Sequence, residues 1–324
     1  MGNGKFVISL DFELFWGVRD QVQIEHYGEN IKGVHKVIPQ LLKTFREYHI
    51  KATFAIVGFL FFENKFELLN NLPEKIPHYT DKSLSPYSGH FDTVGDSFAN
   101  DPYHFGSHQI KLIKSYPEQE IGSHTFSHYY CLEDGQTIED FKIDIQNAQK
   151  VAAKYGVKIT SLVFPRNQYN DEYLKVCKEL GIICCRGNER SWIYKALSQK
   201  KENLFRRAVR LIDAYINLSG HNCYSDEYLR RKYPINIPSS RFLRPYDEKL
   251  KALEGLRLKR IKTGMTYAAK NNYTYHLWWH PHNFGINQDE NFLFLKKILE
   301  HYKELSAKYK FQNYTMSELA TNLL

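Results

Sequence analysis

The sequence predicts a parallel α/β fold, on three observations. Short apolar runs alternate with segments of helical period along the 324 residues. Carboxylates and histidines recur where those runs end. No glycine-rich dinucleotide fingerprint follows the first run, which argues against an open nucleotide-binding sheet. In a barrel and in an open sheet alike, parallel strand ends converge on one face, and active sites lie there.

Taken in order, Lys5 to Leu10 reads as a buried strand. Apolar Val34, Val37, Leu41, Leu42 and Phe45 put a helix over 31–48, with Pro39 expected to kink it or to mark its first turn. ATFAIVG (52–58) is a second strand and 59–72 a helix. Residues 73–120 are rich in Pro, Gly, Ser, His, Asp and Tyr and lack a period. They read as a long excursion with one helix near Ser107 to Lys114; excursions of that length are usually functional or disordered. Order returns at EIGSHTFSH. Helices follow over 137–155 and 171–180, closed by Gly156 and Gly181. Strands are expected at 160–164 and 182–185. Residues 191–218 read as helix in two pieces and 256–262 as a strand leading into a helix toward Lys270. A strand at 273–279 and a long helix over 289–309 complete the pattern.

Composition narrows the function. The 23 Tyr, 21 Phe and 4 Trp are read chiefly as an aromatic-rich core. A net charge of +8 suits an anionic partner, but the basic residues are dispersed, with RLKRIK (257–262) the densest run. No zinc finger, P-loop or polybasic tail is visible, so nucleic acid is not an expected partner. Five cysteines at irregular positions (Cys131, Cys177, Cys184, Cys185, Cys223) form no disulfide framework and no CxxC zinc motif, and fit a reducing compartment. No signal peptide precedes FVISLD, no stretch is long enough to span a bilayer, and myristoylation at Gly2 fails because position 6 is Phe. A cytoplasmic location is expected. SWIYKALSQKKENLFRRAVRLIDAYI mixes apolar with Lys/Arg positions. It is read as an outer helix of the barrel, with peripheral contact to an anionic membrane as the alternative.

Four stretches carry chemistry: Asp11 with Glu13; His124 and His128 in SHTFSH; Arg166 and Asn167 after Pro165; and His276, His280 and His282 in HLWWHPHNF. Histidines four apart on a helical turn face one way and can grip one metal ion, with a carboxylate as third ligand. Core or surface hydrogen bonding is the competing reading of that pair. The HExxH glutamate is missing, so the general base must come from elsewhere, from Asp11 or Glu13. Two residues apart in a strand, these acids face one side. His280, after an aromatic strand, is placed as a general acid. His282 is the alternate, and His276 reads as structural. Arg166 is the candidate to hold Asp11 by a fork of hydrogen bonds.

These motifs resemble the polysaccharide deacetylase family, carbohydrate esterase family 4, from Phe6 to about Leu319. Where that family has T-F-D-D, this chain reads S-L-D-F-E. The resemblance implies that Asp11 is the base, that Phe12 stands in the place of the usual metal aspartate, and that Glu13 is the metal ligand, as in a D-x-E branch. HTFSH matches H-[ST]-x-x-H, ATFAIVG resembles the family's second strand, and WWHP makes His280 the general acid. Arg166 takes the place of the arginine that contacts the base, although here proline precedes it. Asp213 is the candidate to tune the acid histidine, and YTMSELA resembles the family's ending.

The resemblance implies a single catalytic domain over 1–324 with a distorted (β/α) barrel of about seven parallel strands. Its excursion at 73–120 and its atypical segment at 190–255 would shape the acceptor site. It also implies a divalent metal held by Glu13, His124 and His128, zinc first, with cobalt, nickel or manganese as alternatives. The implied reaction removes an N-acetyl or other N-acyl group from an amino sugar, nucleotide- or lipid-linked, in surface polysaccharide or lipopolysaccharide biosynthesis. A deformylase or cyclic amidase on the same scaffold, and a metal-free carbohydrate-binding relative, are the rival readings.

Overall fold

The computed structural model describes residues 3–198 and 202–324. Gly2, and the part of the expected 191–218 helix at 199–201, lie outside them. The strands are β1 (Lys5–Phe12), β2 (Thr53–Ile56), β3 (Glu120–Ser123), β4 (Ser161–Val163), β5 (Cys184–Arg186), β6 (Ile235–Asn236), β7 (Arg241–Phe242), β8 (Thr274–Trp279) and β9 (Gln312–Tyr314). They pair in parallel in the order β6-β5-β4-β3-β2-β1-β8-β7. β9 pairs with Lys5–Val7, in line with β2, whose pairing with β1 begins at Ser9. The sheet curls into a half-barrel that stays open, with β6 and β7 as its two ends among the described residues. Parallel strands and curvature agree with a distorted barrel. The count is nine rather than about seven, because β6 and β7 are two residues each and β9 three, too short to show an apolar period.

The pleat of β1 explains where the chemistry sits. Its even residues Phe6, Ile8, Leu10 and Phe12 join the large core beneath the outer helices. Its odd residues line the concave face. Val7 packs into a second apolar cluster with Met316, Leu319 and Leu323 of the last helix (Met316–Leu323), which plugs one end of the half-barrel. Ser9 and Asp11 follow toward the other end, where the chain turns polar. All eight β1 residues are buried, as a strand covered on both faces must be.

Several helices differ from expectation. The one over Ile24–Glu47 runs through Pro39 as a single helix without a break. It packs its face of Ile31, Val34, Val37, Ile38, Leu41, Leu42 and Phe45 on the sheet, and that burial outweighs the one lost hydrogen bond. Residues 256–262, expected as a strand, belong to a helix over Glu254–Asn271. Its inward face is Arg257, Arg260, Ile261, Gly264, Met265 and Ala268, and the two arginines disguise the helical period. Segment 59–72 is a short 3-10 turn (Gly58–Phe61) and a five-residue helix (Lys65–Leu69). Within 73–120, the expected helix spans Ser107–Lys114. Part of the 191–218 segment is helical over Leu204–Asp213. There Leu204, Phe205 and Ile212 are exposed and only Arg206 and Asp213 are buried, so it is not a barrel helix packing an apolar face inward. The five cysteines are unpaired, and four of them are buried. No helix of the described residues is long and apolar enough to cross a membrane.

Candidate metal centre and active site

The site assembles at the C-terminal ends of the strands. β1 ends at Phe12, which is buried in the large core and offers no ligand. Glu13 follows at the start of a 3-10 turn (Leu14–Gly17) that swings its side chain back over the inner face. The carboxylate lies against Gly17, where a Cβ would sit 2.0 Å from Glu13 Cδ. A side chain at position 17 would therefore displace Glu13.

The two histidines of HTFSH come from the loop after β3, not from a helical turn. Thr125 (φ +64°) and His128 (φ +60°) are in the left-handed region. That conformation is held by Asp144 from the helix Ile138–Lys154, which accepts hydrogen bonds from the Phe126 and Ser127 amides and from Ser127 Oγ. Burial pushes the Asp144 carboxyl up to about 6, against those three donors. The pattern HxxxH thus brings two imidazoles together through a capped loop, where helical spacing was expected.

Glu13 is the hub. Its Oε2 lies 3.2 Å from His124 Nε2 and 3.1 Å from His128 Nε2. Oε1 lies 3.6 Å from His280 Nε2 and 3.9 Å from His282 Nδ1. Two sets of three donors therefore converge on one carboxylate. Burial alone would raise the Glu13 pKa. The His280 charge and the hydrogen bonds from His124 and His128 overcome it and hold the carboxyl well below its ordinary range. Burial likewise lowers His128 to about 4 and His282 to about 3, leaving neutral imidazoles.

The donor set fits a divalent ion. Bonds of about 2.0–2.2 Å at right-angled to tetrahedral geometry place ligand atoms roughly 3.0–3.5 Å apart, the spacing around Glu13 Oε2. Each imidazole is oriented from behind. His124 Nδ1 is 2.9 Å from the Val163 carbonyl, an acceptor that keeps a proton on Nδ1, so that Nε2 would turn its lone pair to a bound ion. His128 Nδ1 is 3.1 Å from the Tyr130 hydroxyl.

Asp11 is gripped by an arginine, but not by Arg166. Arg186, the last residue of β5, donates from Nη1 to Oδ1 at 2.6 Å and from Nη2 to Oδ2 at 2.7 Å. Both side chains are buried. Burial would raise the Asp11 carboxyl, but Arg186 first, then His124 and His280, hold it below its usual value. Arg186 also donates to Ser9 Oγ (3.1 Å) and Asn167 Oδ1 (3.2 Å) and lies over the Trp278 ring at 4.0 Å. Ser9 Oγ in turn is 2.8 Å from His276 Nε2, whose Nδ1 faces the Ile237 carbonyl at 3.0 Å. Both ring nitrogens of His276 are thus engaged within the sheet.

Arg166 was expected on Asp11. It stands in a left-handed turn (φ +52°), pairs with Asp20 and lies over the Tyr130 ring at 4.1 Å. The turn after Pro165 aims its side chain away from β1. Asp213, expected to tune His280, is bound instead to Arg241 at 2.6 Å and to Arg260 at 3.5 Å. His280 is oriented by Asn283, whose Oδ1 is 3.2 Å from its amide and 3.3 Å from Nδ1. Its Nε2 points to Asp11 Oδ2 at 3.7 Å. Sequence reading missed Arg186 and Asn283. The first hides at the end of an apolar run, CCR. The second was legible only as the third residue after His280, the position that reaches back in a capping box.

The polysaccharide deacetylase family model matches residues 29–184. That span contains His124, His128 and Arg166 but neither Asp11 and Glu13 nor Arg186 and His280. No curated protein matches the sequence. Among solved structures, a Mycobacterium smegmatis protein designated a candidate polysaccharide deacetylase is 12% identical with a TM-score of 0.60, over 100% of this chain and 91% of that one. A 4-alpha-glucanotransferase from Thermococcus litoralis is 13% identical with a TM-score of 0.53, over 99% of this chain and 40% of that one. At such identities the likeness is one of fold, and the fold carries more than one sugar chemistry. The chain is thus similar, at the family level and at low identity, to the polysaccharide deacetylases.

Proposed function

We propose that the protein is a metal-dependent hydrolase that removes an N-acyl group, acetyl first, from an amino sugar used in surface polysaccharide synthesis. The observation that carries this reading is the convergence of two oriented imidazole nitrogens on Glu13 Oε2, with Asp11 and His280 beside them. Glu13, His124 and His128 would hold the ion, which supplies Lewis-acid polarisation of the acyl carbonyl and a more acidic water. Zinc suits the two-nitrogen, one-oxygen set.

Asp11 takes a proton from the attacking water. Its grip by Arg186 keeps it ionised and aimed. His280, with Nδ1 turned to Asn283, presents Nε2 to the reaction and gives a proton to the departing amine. The water oxygen bonds to the acyl carbon, the C–N bond breaks, and carboxylic acid and free amine leave. In this reading Arg166 orders the rim through Asp20 and Tyr130, without touching the reacting atoms.

The glutamate next to Phe12 bears on the metal-free rival. Phe12 cannot bind a metal, but Glu13 puts a carboxylate where the histidines need one. The test is product analysis with N-acetyl- and N-formyl-glucosamine derivatives. Acetate release that stops in the His124→Ala variant supports the proposal, formate release alone moves it to a deformylase, and no product with either, despite bound metal, would sink it.

A further inference from the structure

A cavity of about 880 Å³ opens beside His280, walled by Phe242 and Trp278 on one side and by the Leu204–Asp213 helix on another. Six cationic side chains line it: Arg166, Lys195, Arg207, Arg210, Arg241 and Arg244. Three are matched. Arg166 pairs with Asp20, Arg210 with Glu202 at 3.1 Å and Arg241 with Asp213 at 2.6 Å. Lys195, Arg207 and Arg244 line the same space and form no ion pair among the described residues. The remaining acid of the lining, Glu189, is buried on the inner wall, under the influence of Arg241 and Arg186. Unmatched cations around a concave wall concentrate positive potential and favour a compact anion, and guanidinium forks match phosphate oxygens.

We propose that this cavity seats a phosphate or diphosphate carried on the anomeric carbon of the acyl amino sugar, with Lys195, Arg207 and Arg244 as its cationic ligands. The inference rests on the acyl amino-sugar reading of the metal centre. It deepens that reading by naming an activated, phosphate-linked sugar, rather than a neutral polymer, as the substrate class. The carrier beyond the phosphate is a nucleoside or a lipid. Leu204, on the cavity wall and 79% exposed, adjoins Phe205 at 68%, which gives the rim an apolar side suited to a prenyl chain.

The test is calorimetric titration of the full chain, stripped of metal so that diphosphate has no ion to chelate. The probes are inorganic diphosphate, UDP and farnesyl diphosphate. The parent is expected to bind all three, with affinity falling as salt rises. The R207Q/R244Q variant is expected to lose about tenfold per arginine, and R207K/R244K to keep most of the affinity. Tighter UDP assigns a nucleotide carrier and tighter farnesyl diphosphate a lipid carrier; both support the phosphate site. No binding of any probe, or equal binding by R207Q/R244Q, overturns it. Metal content of the parent, and its acetate release from a neutral N-acetyl sugar, report on the metal centre separately. A protein that deacylates but ignores diphosphate loses only this inference.

Discussion

At the scale of single residues, Asp11 and Arg186 decide how the site holds its charge. Both are buried, and their fork of two hydrogen bonds makes one neutral unit of two charges. Removing one partner of such a pair leaves an uncompensated buried charge, which costs about 3–5 kcal/mol. Arg186→Met is therefore expected to lose that much stability in urea at neutral pH. The D11N/R186M double variant should recover part of the loss, because neither substituted side chain carries a charge. A loss below about 0.5 kcal/mol in Arg186→Met would contradict the pairing. Asp11→Asn alone should keep its metal while hydrolysis falls by roughly 10²–10⁴-fold, the usual worth of a positioned base. That Glu13 and the HTFSH histidines come together was legible in the sequence, because both stretches follow strand ends. Arg186 was not. An arginine announces its partner only through the fold, and β2, β3 and β4 lie between β5 and β1. Arg166 was misassigned because proximity to a proline turn says nothing about where a left-handed residue points its side chain.

At the scale of elements, the loops that carry His280 and the HTFSH pair are held by close packing. Gly33, in the helix over Ile24–Glu47, meets Gly285, just past the turn that bears His280. A Cβ on Gly33 would lie 2.0 Å from the Gly285 carbonyl oxygen, and one on Gly285 1.9 Å from that of Asn30. Gly33→Ala must push the two backbones apart and carry His280 with them. The expected result is a fall in kcat of roughly 10²-fold with metal content unchanged; unaltered kcat would show that the contact does not position the acid. The same scale shows where sequence reading failed. LRLKRIK alternates apolar with basic residues and so mimics a strand. The chain is helical there because Arg257 and Arg260 are buried inward, Arg257 over the Phe294 ring at 3.8 Å and Arg260 against Asp213. Buried, paired arginines break the rule that hydrophobic period marks the inner face. Pro39 misled for the opposite reason, since a long amphipathic face tolerates one missing donor.

At the scale of the whole molecule, the half-barrel's concave face runs from an apolar plug at the last helix, through the Ser9–His276–Arg186 network, to the cluster of Glu13, His124 and His128. Parallel α/β architecture was legible because strand and helix periods alternate. The open edge was not, since two-residue strands have no period to read. The polar middle layer makes stability depend on pH. Burial first, and the nearby Arg186 charge next, lower the His276 pKa from 6.5 to about 3. Between those values the unfolded chain binds a proton that the folded chain refuses, so stability falls as pH drops from about 6.5 toward 3. The unfolding free energy of the metal-stripped parent, from urea melts, should decline over that window by roughly several kcal/mol, more steeply than that of a His276→Gln variant. Parallel pH profiles would remove His276 from the explanation.

The central claim, a metal centre built on Glu13, is tested most directly by elemental analysis. The protein would be purified without a histidine tag or added metal, beside the Glu13→Ala and His124→Ala variants. The account predicts close to one divalent ion per chain in the parent and almost none in either variant, with all three folded by circular dichroism. A folded parent that stays metal-free even after incubation with zinc or cobalt would contradict it.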